Sequence, residues 1–496
     1  MEVCYIQELS YWTPQSLSVR LDVDIEFANE LIQVLTTRGV LKLKSNDKID
    51  EYDLLDSDSV DVRGKYQLVF VGLVIYKDVV LVAYPKYFGD TAPTIEQMRV
   101  VFKVIMRASG GKSQIMAATE GEMSSNDRVA LTLAILDMYN EYGEYTNHTR
   151  EYRTNGSGDI SWERTIERHQ PFLSGDAPVY LDYETIYTTR DQSDFITRLH
   201  RTVVTKCSAD MRACGVSDFL AIDDIELSDE TVDDLGDAAT LEYKIDSEMG
   251  VQYVTWKQDL LRLLRAYVLG PNVMVPTNMA VCLGTSSFYH IWELGCKVAF
   301  GDQLNVSLGK LPIKLNGNWA KRSAETLLSI IPKPKWYAFE GGEYDHCGAA
   351  STLIPDTVAI WRGDDGDTFA IMDAKYYMPS LEGAPRRVPG VESVTKQHLY
   401  QAAYRRFVLD CGFEHVANVF LVPTSTGETT LMGKVEFPSI FEREPAPFAY
   451  GVQMWAVPAE DVWRCYLGNC QMENAKAEIV KAASAEGVKR RGFDDR

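Results

Sequence analysis

Apolar and polar positions along this chain switch between a helical period and a strand-like one, and the switches predict its elements. In "SLSVRLDVDIEFANELIQVLTTRGVLKL" a helix is expected from Asp24 to about Arg38, stopped at Gly39, with a short strand Val40 to Leu43 after it. "YQLVFVGLVIYKDVVLVAY" is rich in β-branched residues and broken by Lys77 and Asp78, so it predicts two strands and a turn rather than a membrane span. Helices are predicted around Ile95 to Ala108, in "NDRVALTLAILDMYNEYGEY", in "DQSDFITRLHRTVVTKCSADMRA" and in the amphipathic "YVTWKQDLLRLLRAYVLG". The C-terminal half then runs helix ("SSFYHIWELGCKVAF"), strand ("KWYAFEGG"), strand ("TVAIW"), strand ("TFAIMDAKYY"), helix ("VTKQHLYQAAYRRFVL") and strand ("HVANVFLVP"). The fold class expected is mixed α/β.

Length and polar breaks divide this pattern. A chain of 496 residues is expected to form two or three domains. The acidic break "DEYDLLDSDSVDVRG" sets off residues 1–60, whose helix, glycine and strand suit either the end of a winged-helix-like unit or an ordinary surface helix and hairpin. Because that helix carries Asp24, Glu26 and Glu30, such a unit is expected to bind protein rather than DNA. Residues 61–220 are expected to form an N-terminal α/β domain that binds a partner protein, 221–248 an acidic connector, 249–470 a C-terminal domain and 471–496 a tail that reads as a frayed helix. No repeat of fixed period is visible.

Charge and cysteines narrow the class. The formal net charge of −21 argues against a general nucleic-acid binder, which needs clustered Lys and Arg. The charge is uneven, however. "AIDDIELSDETVDDLGDAATLEYKIDSEMG" reads as a solvated, partly flexible connector, with a DNA mimic or docking tail as the alternative. "KLPIKLNGNWAKRS", "IPKPKW" and "APRRVPG" are basic loops able to track a phosphate backbone. Nine cysteines without a CxxC pair speak against a zinc ribbon or a disulfide framework and suit a reducing cytoplasm. "MEVCYIQELSYW" lacks the basic and apolar regions of a signal peptide.

The chemistry concentrates in "IPDTVAIWRGDDGDTFAIMDAKYY", residues 354–377. A hairpin centred on "RGDDGD" has its midpoint between Asp364 and Asp365, from which Asp356 and Asp373 are equidistant. They therefore face one another on neighbouring strands, where Cβ atoms of a pair lie about 4.5–5.5 Å apart. Lys375, two positions beyond Asp373, shares that face, and Ala374 points away. Two facing carboxylates repel unless one takes a proton or a cation lies between them. Hard oxygen ligands suit Mg²⁺ or Mn²⁺, which polarise phosphodiesters and activate water. Lys375 could orient or activate that water, or offset phosphate charge. Asp364, Asp365 and Asp367 lie at the far end and read as turn formers.

An isolated Asp-x-Lys is common and weak. Glu293, Pro355-Asp356 and Asp373-x-Lys375, in the element order above, resemble the PD-(D/E)xK nuclease superfamily. "FYHIWELGCKVAF", "LIPDTVAI", "IMDAKYY" and "VTKQHLYQAAY", with the upstream "FVGLVIYKDVVLVAYPKYF" and "NGSGDISWERTI", resemble the LlaJI family of restriction endonucleases, itself similar to McrC, the nuclease subunit that works with the GTP-driven McrB motor. The resemblance runs from about residue 65 to 440 and leaves the first sixty residues and the tail uncovered. It implies a restriction-endonuclease-like C-terminal fold, a metal held by Asp356, Asp373 and Glu293, Lys375 as catalytic lysine and Gln397 facing the site from the following helix. It implies double-stranded DNA as substrate and an McrB-like AAA+ GTPase as partner. The chain has no Walker A pattern of its own, so no nucleotide site is expected here. The alternative is a non-catalytic scaffold that activates such a motor.

The remaining residues read more simply. His290 is one turn before Glu293 and could hydrogen-bond it, or merely pack. Tyr376 and Tyr377 read as packing residues, and Gln401 as either a site neighbour of Gln397 or a solvated position. Trp162 and Arg164 read as a buried anchor and its salt bridge. His346 and Cys347 lack a second ligand pair for zinc.

Overall fold

The computed structural model describes residues 2–44, 64–77, 79–108, 125–175, 177–213, 217–220, 222–270, 280–340, 343–349, 351–363, 366–425, 427–438 and 447–494. The acidic break near residue 60, Asp78 and the turn residues Asp364 and Asp365 lie outside them. The chain forms two compact units, Gly111–Val281 and a discontinuous one built from Glu2–Gly110 with Cys282–Arg496.

In the continuous unit, the helices Ser125–Tyr142, Phe195–Ala213, Ala238–Val251 and Thr255–Leu269 bury Leu131, Ile135, Leu199, Val203, Leu241, Ile245, Leu260 and Leu264. The strands Asn147–Thr154 and Asp159–Ile160 flank Glu184–Asp191 antiparallel. The acidic stretch expected as a flexible connector is stapled along one of the helices. Ser208 Oγ donates to Asp223 O and accepts from the Ile225 N–H, both at 3.0 Å, and the Leu227 N–H donates to Thr205 Oγ1 at 3.0 Å. Asp237 then caps Ala238–Val251 by accepting from the Thr240 N–H at 2.9 Å. The acids face out while Leu235, Leu241 and Ile245 face in, so composition concealed an amphipathic element. Trp162 is 56% exposed rather than buried, and Arg164 lies 3.6 Å from the centroid of Tyr152 instead of making the expected salt bridge.

The discontinuous unit holds two main sheets. The first runs Glu2–Gln7, Val79–Tyr84, Val71–Tyr76, Val281–Thr285, its first pair parallel and its second antiparallel. Both strands read from "YQLVFVGLVIYKDVVLVAY" are present, and every residue of Val71–Tyr76 and Val79–Tyr84 is buried. A Cβ on Gly72 would lie 2.2 Å from Leu283 O, and one on Gly284 2.1 Å from Val71 O, so this close strand approach requires both glycines. The helix read after Asp24 spans Ile25–Thr37, with Asp24 accepting from the Phe27 N–H at 2.7 Å. A preceding helix, Pro14–Leu21, and a small antiparallel sheet in the order Tyr11–Trp12, Tyr66–Leu68, Leu41–Leu43 accompany it.

The second sheet is five-stranded and mixed, in the order Thr357–Trp361, Thr368–Ala374, His415–Thr424, Val452–Pro458, Thr430–Val435. The outer pairs are antiparallel and the two inner pairings parallel. Val358, Ile360, Phe369 and Ile371 share a core with Tyr404 and Phe407 of the helix Val391–Cys411 and with Trp319 and Leu327. The segment "KWYAFE" is a strand, but among the described residues it pairs with Glu343–Ala349 alone, in a two-stranded ribbon apart from this sheet. The tail forms the helix Glu473–Asp494, whose Ala475 and Ile479 are buried.

Candidate functional site

The site begins with register. Thr357 pairs with Met372 and Val358 with Ile371, so one step outward sets Asp356 opposite Asp373. This is the pairing that the turn midpoint predicted. Strand alternation then decides the face. Val358 and Ile360, with Phe369 and Ile371, turn toward the helix Val391–Cys411, and Asp356 and Asp373 are the next positions in those two rows. The carboxylates thus emerge where a buried apolar row ends.

Asp356 Oδ2 accepts from the Ala374 N–H at 2.9 Å, and Lys375 Nζ lies 3.0 Å from Asp373 Oδ2. Only 11% of the Asp373 side chain and 24% of the Lys375 side chain remain exposed. Burial, then the hydrogen bond and the charge of Asp373, then the charge of Glu293 push the Asp356 carboxyl up to about 8. Ionisation of Asp356 is therefore opposed by its burial and by the carboxylate that faces it. Burial alone would depress the Lys375 ammonium, but Asp373, aided by Asp356, outweighs it and holds the group above the ordinary lysine range.

The helix Phe288–Phe300 carries Glu293, whose side chain is 27% exposed and whose Oε2 lies 3.1 Å from His290 Nδ1. Of the two readings of His290, hydrogen bonding to Glu293 and mere packing, the hydrogen-bonded one is present. Glu293 is near enough to act on Asp356 electrostatically. Among the described residues, no three His, Cys, Asp or Glu side chains gather closely enough to hold a metal ion as the side chains stand. Trp292 and Cys296 fix this helix from beneath. Both are fully buried, and the Trp292 Nε1–H donates to Leu421 O at 3.2 Å.

Gln397 is fully buried on the helix Val391–Cys411, and among the described residues neither its amide nitrogen nor its amide oxygen has a partner. Asn418 Nδ2 donates to the Gln397 backbone oxygen at 3.2 Å, leaving its own Oδ1 unpaired, while Gln401 Nε2 donates to Ala449 O at 2.8 Å. Unpaired buried polar atoms are rare enough to require a reason, such as a water, ion or ligand oxygen.

Two contributions were not read from the sequence. Tyr400, one turn after Gln397, donates its hydroxyl to Ile354 O at 2.9 Å, and burial with the charges of Asp373 and Asp356 pushes that hydroxyl up to about 12. Its spacing of three from Gln397 was the available signal. Asp302 and Gln303 act as a substitute neighbour for the outer strand of the hairpin. Asp302 Oδ1 accepts from the Val358 N–H at 3.0 Å, the Gln303 N–H donates to Val358 O at 2.7 Å, and Gln303 Oε1 accepts from the Ile360 N–H at 3.0 Å. They satisfy a sheet edge that would otherwise be open.

Residues 70–446 match the family described as LlaJI restriction endonuclease. A curated relative, the type II restriction enzyme BsuMI component YdjA of Bacillus subtilis (strain 168), is 25% identical over 425 residues, covering 82% of each chain. A refined half-complex from a tetradecameric assembly of Thermococcus gammatolerans McrB AAA+ hexamers with bound McrC aligns at 14% identity and TM-score 0.33, over 94% of this chain and 100% of that one. The cryo-EM structure of the T. gammatolerans McrBC complex aligns at 14% identity and TM-score 0.22, over 59% of this chain and 85% of that one. At these scores neither alignment carries an argument about this chain.

Proposed function

The chain belongs to the LlaJI restriction endonuclease family, and from that premise we propose that it is a Mg²⁺-dependent nuclease subunit that hydrolyses phosphodiesters of double-stranded DNA. The observation that carries this reading is the facing pair Asp356 and Asp373 with Lys375 on the same side of the hairpin.

The residues present fit a hard divalent cation. Two inward, facing carboxylates supply oxygen donors, and the Gln397 amide, without a partner among the described residues, supplies a further polar contact. Asp356 and Asp373 would hold the ion, with Glu293 supporting the site electrostatically. When bound, such an ion polarises the scissile phosphate and lowers the pKa of a coordinated water. Lys375, kept charged by its neighbours, offsets phosphate charge through Nζ and orients the attacking water rather than removing its proton. Gln397 is suited to fix a water at the site by hydrogen bonding. The covered hairpin edge and the buried row beneath the carboxylates hold the oxygens in place.

The partner reading rests on the resemblance to McrC and on the absence of a Walker A pattern from the chain. An McrB-like AAA+ GTPase would supply the motor, in the cytoplasm. No helix among the described residues is long and apolar enough to cross a membrane.

The test is cleavage of supercoiled plasmid by the chain with Mg²⁺ and an McrB-like AAA+ GTPase. Asp373→Ala and Lys375→Ala are each expected to lower cleavage at least a hundredfold while leaving complex formation intact. Undiminished cutting by both variants would remove this site from the chemistry. Undiminished phage protection by both would favour the scaffold reading.

A further inference from the structure

The segment before residue 110 contributes to the same compact unit as the hairpin, and one of its carboxylates reaches the residue next to Lys375. Glu8 follows the first strand of the N-terminal sheet, and its Oε2 accepts from the Tyr376 hydroxyl at 2.7 Å and from the Lys86 N–H at 3.2 Å. Tyr376 immediately follows Lys375 and is 5% exposed. The Lys86 ammonium lies over the same ring, 4.8 Å from its centroid, and 6.0 Å from that of Tyr377. Lys86 is itself tethered, because Gln7 Nε2 donates to Lys86 O at 3.3 Å and to Gly89 O at 2.7 Å.

The network continues to the other side of the site. The Tyr376 ring packs on Phe288 at 5.5 Å, at the start of the helix that carries Glu293. Phe288 meets Trp463 at 5.7 Å, and the Trp463 Nε1–H donates to Tyr87 Oη at 3.0 Å, beside Lys86. The loop of contacts therefore closes on itself: Glu8, Tyr376, Phe288, Trp463, Tyr87, Lys86 and back to Glu8. The Lys375 N–H donates to Leu421 O at 2.9 Å, and the same oxygen accepts from Trp292. Lys375 is thus held by its backbone on one side and by the anchored ring of Tyr376 on the other. A side chain whose charged end must stay within hydrogen-bond range of Asp373 has little tolerance for movement at either anchor.

We infer that Glu8 is a positioning residue for Lys375, acting through the Tyr376 hydroxyl, so that the first strand of the chain is a working part of the catalytic unit. This rests on the nuclease reading above. It differs from that reading in assigning a role to a residue outside the hairpin and outside the stretch that matches the family.

The experiment compares the full-length wild type, Glu8→Ala, Glu8→Gln, Tyr376→Phe and the double variant Glu8→Ala/Tyr376→Phe, each with Mg²⁺ and the motor. It measures kcat and KM for plasmid cleavage, Mg²⁺ binding by calorimetry and thermal unfolding. Glu8→Ala and Tyr376→Phe are each expected to lower kcat about tenfold to a hundredfold with KM and Mg²⁺ affinity within about twofold of wild type. Glu8→Gln, whose amide oxygen still accepts from Tyr376, is expected to recover most of the loss. The double variant is expected to match the worse single variant rather than the product of both. Tyr376→Phe removes one hydroxyl from a packed ring and so reports even if Glu8→Ala folds poorly. Wild-type kcat in both single variants would overturn the inference, as would a loss that Gln fails to recover and that follows thermal stability alone. An inactive wild type would instead overturn the nuclease reading, which keeps the two failures apart.

Discussion

At the scale of single residues, the site shows which information a linear pattern carries. Asp356 opposite Asp373 follows from counting outward from a turn, because strand pairing has a period of two and no adjustable parameter once the midpoint is set. The isolation of Gln397 was not legible in this way. Its position on a helix facing the hairpin was open to inference, but whether its amide finds a partner depends on groups from other segments. That isolation has a measurable cost. An unsatisfied buried polar group destabilises by about 1–3 kcal/mol, so Gln397→Met is expected to raise the unfolding free energy in the absence of metal by about 1 kcal/mol while lowering cleavage. A melting temperature below wild type would mean that the amide is already satisfied. Trp162 and Arg164 failed as a buried pair for the complementary reason. An aromatic residue that opens a short surface helix is not thereby a core residue, and an arginine satisfies itself on the face of Tyr152 as readily as on a carboxylate.

Elements were more legible than their partners. "KWYAFEGG" has strand composition and is a strand, but alternation cannot say which neighbour a strand will choose. It pairs with Glu343–Ala349, which carries too many charges to be read as a strand itself. The edge of the site hairpin was equally hidden. Asp302 and Gln303 look like loop residues, yet together they supply the hydrogen bonds of a missing strand. Asp302 accepts from two backbone N–H groups, of Val358 and Leu304, so Asp302→Ala is expected to cost about 1–3 kcal/mol in chemical denaturation. A cost below a few tenths would show that water replaces both bonds. The helix that carries Glu293 has its own constraint. A Cβ on Gly295 would lie 2.7 Å from the Trp463 ring, so Gly295→Ala is expected to destabilise by about 1–3 kcal/mol as that helix is forced off its neighbour.

For the whole molecule, the division at residues 110 and 281 follows neither the acidic runs nor the end of the family resemblance. Composition marks solvated segments, whereas a unit is defined by which apolar faces meet. The two units are expected to respond differently to acid. His200, in the continuous unit, is buried, and its Nδ1 accepts from the Tyr145 N–H at 2.9 Å. Burial, with Arg201 adding to it, pushes the ring down to about 4 from an ordinary value near 6.5. The unfolded chain therefore takes up a proton below about pH 6.5 that the folded unit refuses until about pH 4. The stability contributed is complete above pH 6.5 and is lost as pH falls toward 4, by about 1.4 kcal/mol per unit and on the order of 3 kcal/mol in all. Calorimetry between pH 7 and pH 4 is expected to show one transition carrying this proton uptake, and His200→Gln to remove its share of the slope. An unchanged slope in the variant would mean that other groups carry the acid response.

The closed ring of contacts through Glu8 and Tyr376 also has a consequence in time. The two residues are 368 positions apart, so one leaves the ribosome long before the other exists. At roughly 5–20 residues per second, the delay is on the order of half a minute. Throughout it, the first strand has no Tyr376 to brace. Trp463 comes later still. No nascent fragment that ends before residue 463 can therefore close this ring of contacts.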